Sequence, residues 1–270
     1  MRVLCSTGCF IGYRNRYDFR LLEYANKVLS CDGFEILLPF DNQDCIEVAN
    51  YILNHAIFTP CVHADKRIGI LISTGTNESI KKALDLFEDN CKFARYVGAE
   101  IVVLHLWGGK KSDSNIRQNI LHFQDLKDIA NQYGLIISVE NVPCVVSDSL
   151  NCFEILRKKY NDIFFTFDSR FAAFQNIQQE LFDNKLIVER INHIHVSDYS
   201  GGKNEWDKLS IILGIGEGEI DFVNLFELIN SRVSCQYITL ESPCYKNDKC
   251  DFLKLEENIV KVKKLIKVAK

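Results

Sequence analysis

The chain has 270 residues, 47% hydrophobic and 25% charged, with a formal net charge of −4. This is enough apolar material for one large core, and the acidic balance argues against a protein that grips nucleic acid through an overall basic surface. No run reaches the roughly 18 apolar residues of a membrane helix, and MRVLCSTGCF at the start lacks the apolar run of a signal peptide, so a cytoplasmic protein without membrane partners is expected.

From the N-terminus onward, short β-branched or aromatic runs alternate with longer segments of helical period. RVLCS (2–6) is predicted as a strand, followed by a helix over 17–30 whose Leu21, Leu22, Ala25, Val28 and Leu29 share a face. FEILLPF (34–40) precedes a helix at 42–56. FTPCVHA (58–64) precedes one at 77–97, which opens on Asn77-Glu78-Ser79 and stops at Gly98. The strands IVVLHLW (101–107), IISVEN (136–141), IFFTFD (163–168), INHIHVS (191–197) and YITLES (237–242) are followed by helical segments at 114–133, 148–160, 172–189, 221–231 and 251–269. Most of these runs are apolar on both sides, as strands covered on two faces must be. Eight such units with no intervening linker predict a (β/α)8 TIM barrel, an α/β fold, as a single domain over residues 1–270. STGCFIGY after the first strand does not match GxGxxG, and no organic cofactor is expected.

The eleven cysteines are scattered and include no CxxC pair, which fits free thiols in a reducing compartment better than a disulfide framework. Cys5 and Cys61 lie in strand runs and could line a pocket.

Six of the strand runs carry a metal-binding residue type toward their C-terminal ends: His63, His105, Glu140, Asp168, His195 and Glu241. In such barrels these ends form the mouth, where active sites sit. Four of the six histidines lie in these runs, counting His193; only His55 and His122 fall on helical segments. Each residue alone has an ordinary explanation: a hydrogen-bonded histidine, Asp168 as N-cap of the next helix, a glutamate paired with a buried arginine. Three carboxylates converging on one ring, however, cost several kcal/mol without a cation, and the runs that carry these six residues contain no lysine or arginine. A divalent cation would compensate them. Glu140, Asp168, His195 and Glu241 form a hard N/O donor set that suits Mn2+, Mg2+, Co2+ or Zn2+.

With PCVHAD, ARYVGAEIVVLHLWG, ISVENVP, TFDSRFA, INHIHVSD, LGIGEGEIDF and ITLES in this order, the whole chain resembles the xylose isomerase-like barrel superfamily. That superfamily holds sugar isomerases, ketose 3-epimerases, inosose-type dehydratases and the family-two apurinic endonucleases. The resemblance implies that Glu140, Asp168, His195 and Glu241 are the ligands of a metal, and that His63 and His105 serve a second ion or the substrate. The endonucleases carry a histidine three residues after the Asp, where this chain has Phe171, and an Asp-x-His before the Gly-rich phrase, where it has DKLSIIL. A three-zinc cluster is therefore incomplete. Phe171 also departs from many of the sugar enzymes, in which a histidine contacts substrate hydroxyls.

The resemblance further implies a mechanism: a metal-stabilised enediolate, with Glu140 and Glu241 as the acid/base pair that removes and returns a proton. Epimerase, isomerase and dehydratase outcomes all stay open. Trp107 could stack on a sugar, and Asp198 could orient one; packing under a loop and a plain loop position are the competing readings. His193, two residues from His195, shares its strand face one layer deeper, where a structural role competes with substrate contact. Arg170, Lys203, Lys110 and Lys111 are cations that could meet a phosphate or simply be solvated, so the substrate is read as a sugar or a sugar phosphate. The long loop DYSGGKNEWDKLSIILGIGEGE could close the mouth. The alternatives are a zinc-dependent DNA-repair nuclease, disfavoured by the acidic balance and Phe171, and a non-catalytic sugar-binding barrel. Self-association is left open.

Overall fold

The computed structural model describes residues 1–38, 44–109, 112–143, 148–246 and 249–268. Eight parallel strands close into a barrel in sequence order: β1 (Arg2–Ser6), β2 (Gly33–Leu37), β3 (Cys61–His63), β4 (Ile101–Leu104), β5 (Ile136–Glu140), β6 (Phe164–Asp168), β7 (Ile191–Val196) and β8 (Tyr237–Leu240). Closure is made by β8 pairing with β1, Val3 opposite Ile238 and Cys5 opposite Leu240. The expected TIM barrel is therefore the fold. No helix among the described residues is long and apolar enough to cross a membrane.

The helices that surround the sheet are α1 (Leu21–Val28), α2 (Cys45–Asn54), α3 (Arg67–Ser73), α4 (Asn77–Tyr96), α5 (Ile116–Leu121), α6 (Phe123–Gln132), α7 (Ser149–Lys159), α8 (Ser169–Gln175), α9 (Gln178–Asp183), α10 (Lys185–Val188), α11 (Trp206–Leu209), α12 (Phe222–Arg232) and α13 (Phe252–Val268). Side-chain caps start several of them. Thr76 accepts from the Ser79 amide at the head of α4, one residue before the expected start, and Asp148 and Asp221 do the same for α7 and α12.

Three expectations change. The helix expected over 172–189 is three short ones, because Asn176 adopts a left-handed conformation (φ 54°) that ends α8. The helix expected over 114–133 breaks at His122. The third strand shrinks to three residues, α11 forms within the stretch expected to be a loop, and α3 forms where no element was expected. A short hairpin, β9 (Tyr245–Lys246) with β10 (Lys249–Cys250), follows the barrel.

Two apolar regions hold the fold. The large one lies between sheet and helices; strand residues such as Val62, Val102, Leu104, Ile194 and Ile238 face it. The small one, Leu4, Cys61, Ile101, Val103 and Tyr237, lies inside the barrel. Strand register places it there: Cys61 pairs with Glu35 and Ile101, and Tyr237 with His193, and paired residues point to one side of a sheet. Cys5 faces the outer core. No two of the ten described cysteines are joined by a disulfide; Cys144 lies outside the described residues.

Candidate metal centre

The inward positions of successive strands form layers. At the top, Glu140 ends β5, Asp168 ends β6, His195 is the fifth residue of β7, and Glu241 follows β8 directly. Asp168 pairs in register with His195, and Glu140 with Thr166 two residues below Asp168. One donor atom each from Glu140, Asp168, His195 and Glu241 lies within 4.8 Å of the others, and a second group, His63, His105 and Glu140, meets the same criterion. All six residues expected at the strand tips are thus gathered in one place.

The contacts are direct. His195 Nδ1 is 2.8 Å from Glu140 Oε1 and 3.6 Å from Glu241 Oε2. Glu140 Oε2 lies against the Nε2 atoms of His105 and His63, the latter at 3.5 Å, in neither case as a formed hydrogen bond. Asp168 has a divided role. Its Oδ1 accepts the Phe171 amide at 2.6 Å and caps α8, while its Oδ2 has no partner. The side chains of Glu140 and His195 are 1% and 0% exposed; Glu241 at 16% and His105 at 9% are the members that solvent reaches.

Burial and like charge make this assembly costly as it stands. Burial pushes the Asp168 carboxyl up to about 7; Arg170 opposes this, and Glu140 and Glu241 add to it. Burial alone would also raise Glu140, but His105 and His195 outweigh it and hold the carboxylate well below its usual range. His195 behaves in the opposite sense: burial disfavours its charge, yet Glu241, Glu35 and Glu140 raise it well above the ordinary histidine value. His105 is pushed down to about 4 by burial, against the pull of Glu140. Buried carboxylate oxygens without hydrogen-bond partners, Glu140 Oε2 and Asp168 Oδ2, therefore sit among N/O donors in a site with an excess of negative charge. Residues so arranged fit a divalent cation, which would satisfy the orphaned oxygens and the charge together.

A residue that the sequence did not single out lies just beneath. Glu35, in the middle of β2, is fully buried; its carboxylate is 2.6 Å from His193 Nε2 and 3.0–3.1 Å from His195 Nε2, and accepts from Thr239 Oγ1 at 2.9 Å. The available signal was an acid inside the apolar run FEILLPF.

Of the remaining candidates, Trp107 belongs to the outer core. Its indole N–H donates to the Val142 carbonyl at 2.7 Å and its ring packs near Phe153, so it offers the mouth no stacking face. His193 is held by Glu35 and Thr239 below His195, away from the mouth. Asp198 is occupied by backbone: it accepts from the amides of Tyr199, Gly216, Gly218 and Ile220 at 2.8–3.1 Å. This explains the last glycine of GIGEGEI, since a Cβ on Gly218 would lie 2.6 Å from the Asp198 carboxylate and 2.5 Å from the Tyr199 carbonyl. The loop after β7 is thereby pinned, and its α11 sets Trp206 edge-to-face against Phe174 of α8. Arg170 donates to the Leu209 carbonyl at 2.6 Å and lies over the Phe171 ring, leaving its Nε without a partner. Lys203 is exposed, and Lys110 and Lys111 lie outside the described residues.

Residues 24–267 match the family described as xylose isomerase-like TIM barrel. No curated protein matches the sequence. Among solved structures, an L-ribulose 3-epimerase superposes with a TM-score of 0.75 at 12% identity, covering 99% of this chain and 95% of its own. A D-tagatose 3-epimerase-like protein gives 0.70 at 20% identity, with 100% and 97% covered. The IolI protein, solved with a zinc atom, gives 0.65 at 18% identity, with 100% and 98% covered.

Proposed function

Because this chain belongs to the xylose isomerase-like TIM barrel family, we propose that it is a divalent-metal-dependent sugar isomerase or epimerase. The observation that carries the reading is the group Glu140, Asp168, His195 and Glu241, with two orphaned carboxylate oxygens among its atoms. These four residues would hold the ion. When bound, a divalent cation supplies Lewis-acid polarisation of the oxygens of a ketose and so acidifies the adjacent C–H.

The chain's own residues do the rest. Glu241 is the carboxylate of the group with most access to solvent, and Glu140 reaches in from β5 on another side of the barrel. One takes the proton and the other returns it, which inverts the same carbon or moves the carbonyl. Asp168 is fixed by its bond to the Phe171 amide, and His195 by contacts on both of its nitrogens. The ring of Phe171 faces His105, which gives this part of the site an apolar wall. The likeness to sugar epimerases and to the zinc-containing IolI protein supports the reading through their shared fold.

The test is exchange of solvent deuterium into a panel of free ketoses in the presence of Mn2+. Incorporation next to the carbonyl is expected, and it should fall by about 10²–10⁴-fold in Glu140→Gln. The group His63, His105 and Glu140 favours one second reading, a two-ion nuclease. Incision of an abasic-site duplex with no deuterium exchange would put that reading first.

A further inference from the structure

We propose that Glu35 is a positioning residue for the metal centre: it accepts the Nε2 proton of His195 and so leaves Nδ1 as the nitrogen that binds the cation. This rests on the metal-dependent reading above and extends it to a residue outside the ligand group.

A histidine that binds an ion through one nitrogen carries its proton on the other, and whatever accepts that proton decides which nitrogen is which. Here the two edges of the His195 ring face different carboxylates. Nδ1 faces Glu140 and Glu241, at 2.8 and 3.6 Å. Nε2 faces down the barrel to Glu35, 3.1 Å from one oxygen and 3.0 Å from the other. The upper carboxylates belong to the ion's donor group; the lower one does not. Glu35 can only accept when ionised, so the proton belongs on Nε2.

The protons below Glu35 follow the same direction. His193 Nε2 is 2.6 Å from Glu35 and donates to it, which makes His193 Nδ1 an acceptor; the Cys61 thiol faces that atom at 3.6 Å. Thr239 adds a third donor at 2.9 Å. Three donors on one buried carboxylate offset the cost of placing it in the barrel interior. Glu35, Cys61 and His193 are also close enough together to suggest an ion of their own. Glu35 and Cys61, however, meet opposite nitrogens of the His193 ring, which makes the ring a bridge between them rather than one corner of a shared coordination shell.

Two measurements test this. Mn2+ titrated into chelator-treated Glu35→Gln, which keeps the shape but turns one acceptor into a donor, should bind roughly 10–100-fold more weakly than to wild type, with the far-ultraviolet circular dichroism unchanged. In wild type loaded with Zn2+, nitrogen-15 NMR of the histidines should find the His195 proton on Nε2 and the shift of a bound metal on Nδ1. Equal Mn2+ affinity in the variant, or a His195 that binds through Nε2, overturns the role of Glu35. A wild type that takes up neither ion overturns the metal-dependent reading instead.

Discussion

The inside of this barrel has two regions that share three strands, β3, β4 and β8. Beneath the tips, Leu4, Cys61, Ile101, Val103 and Tyr237 form an apolar plug. One or two inward positions higher, β3, β4 and β8 present His63, His105 and Glu241, and the strands that carry no plug residue add Glu35, Glu140, Asp168, His193 and His195. Strand geometry decides which residues face inward; along β3, β4 and β8, height decides whether they serve packing or chemistry. The plug contains no charged group. The upper region holds ionisable groups in plain excess over their partners, with Glu35 Oε1, His63 Nε2, Glu140 Oε2 and Asp168 Oδ2 buried without hydrogen bonds. A protein retains such a region against its cost when function depends on it.

The comparison breaks most sharply at the two glutamates. Glu140→Gln and Glu241→Gln should each reduce deuterium exchange into a ketose by about 10²–10⁴-fold while circular dichroism stays that of wild type; full exchange rates in either variant would remove that residue from the acid/base pair. Loading the upper region comes next. A divalent ion at a thousandfold excess over its Kd should stabilise the chelator-treated protein by about 4 kcal/mol, read as a rise in Tm that Asp168→Asn abolishes.

A pH series sharpens the same contrast. The folded value of Asp168, about 7, lies above the 3.8 of an unperturbed aspartate. Its contribution to the stability of the metal-free protein is therefore fully present at low pH and lost as pH rises toward and through 7. The stability difference between Asp168→Asn and wild type should shift in favour of the variant across that window and level off above it, and added metal should remove the effect. The smallest change belongs to the plug: Ile101→Val should cost about 0.5–1.5 kcal/mol in urea unfolding and leave metal uptake untouched.

The barrel and its tip residues were legible because both leave local marks. Apolar runs repeat at a regular spacing, and a histidine or carboxylate closes six of them. Glu35 was not legible, because its depth depends on the stagger between β2, β7 and β8, which pattern along a single strand does not encode. Trp107 was left between two readings for a related reason: position just past a strand tip does not fix whether a side chain turns to the mouth or, as here, to Phe153 and the Val142 carbonyl. Asp198 and the glycine-rich phrase were each visible, but their joint role was not. One carboxylate gathers amides from residues 18, 20 and 22 positions further along the chain, and only the folded loop brings them together.

Metal content per chain, measured on wild type and Asp168→Asn purified without chelator, tests the central claim most directly. Close to one divalent ion per wild-type chain, and its loss in the variant, is the expected result. A metal-free wild type, or a variant that retains the ion undiminished, would contradict the claim that the upper region is a metal centre built around Glu140, Asp168, His195 and Glu241.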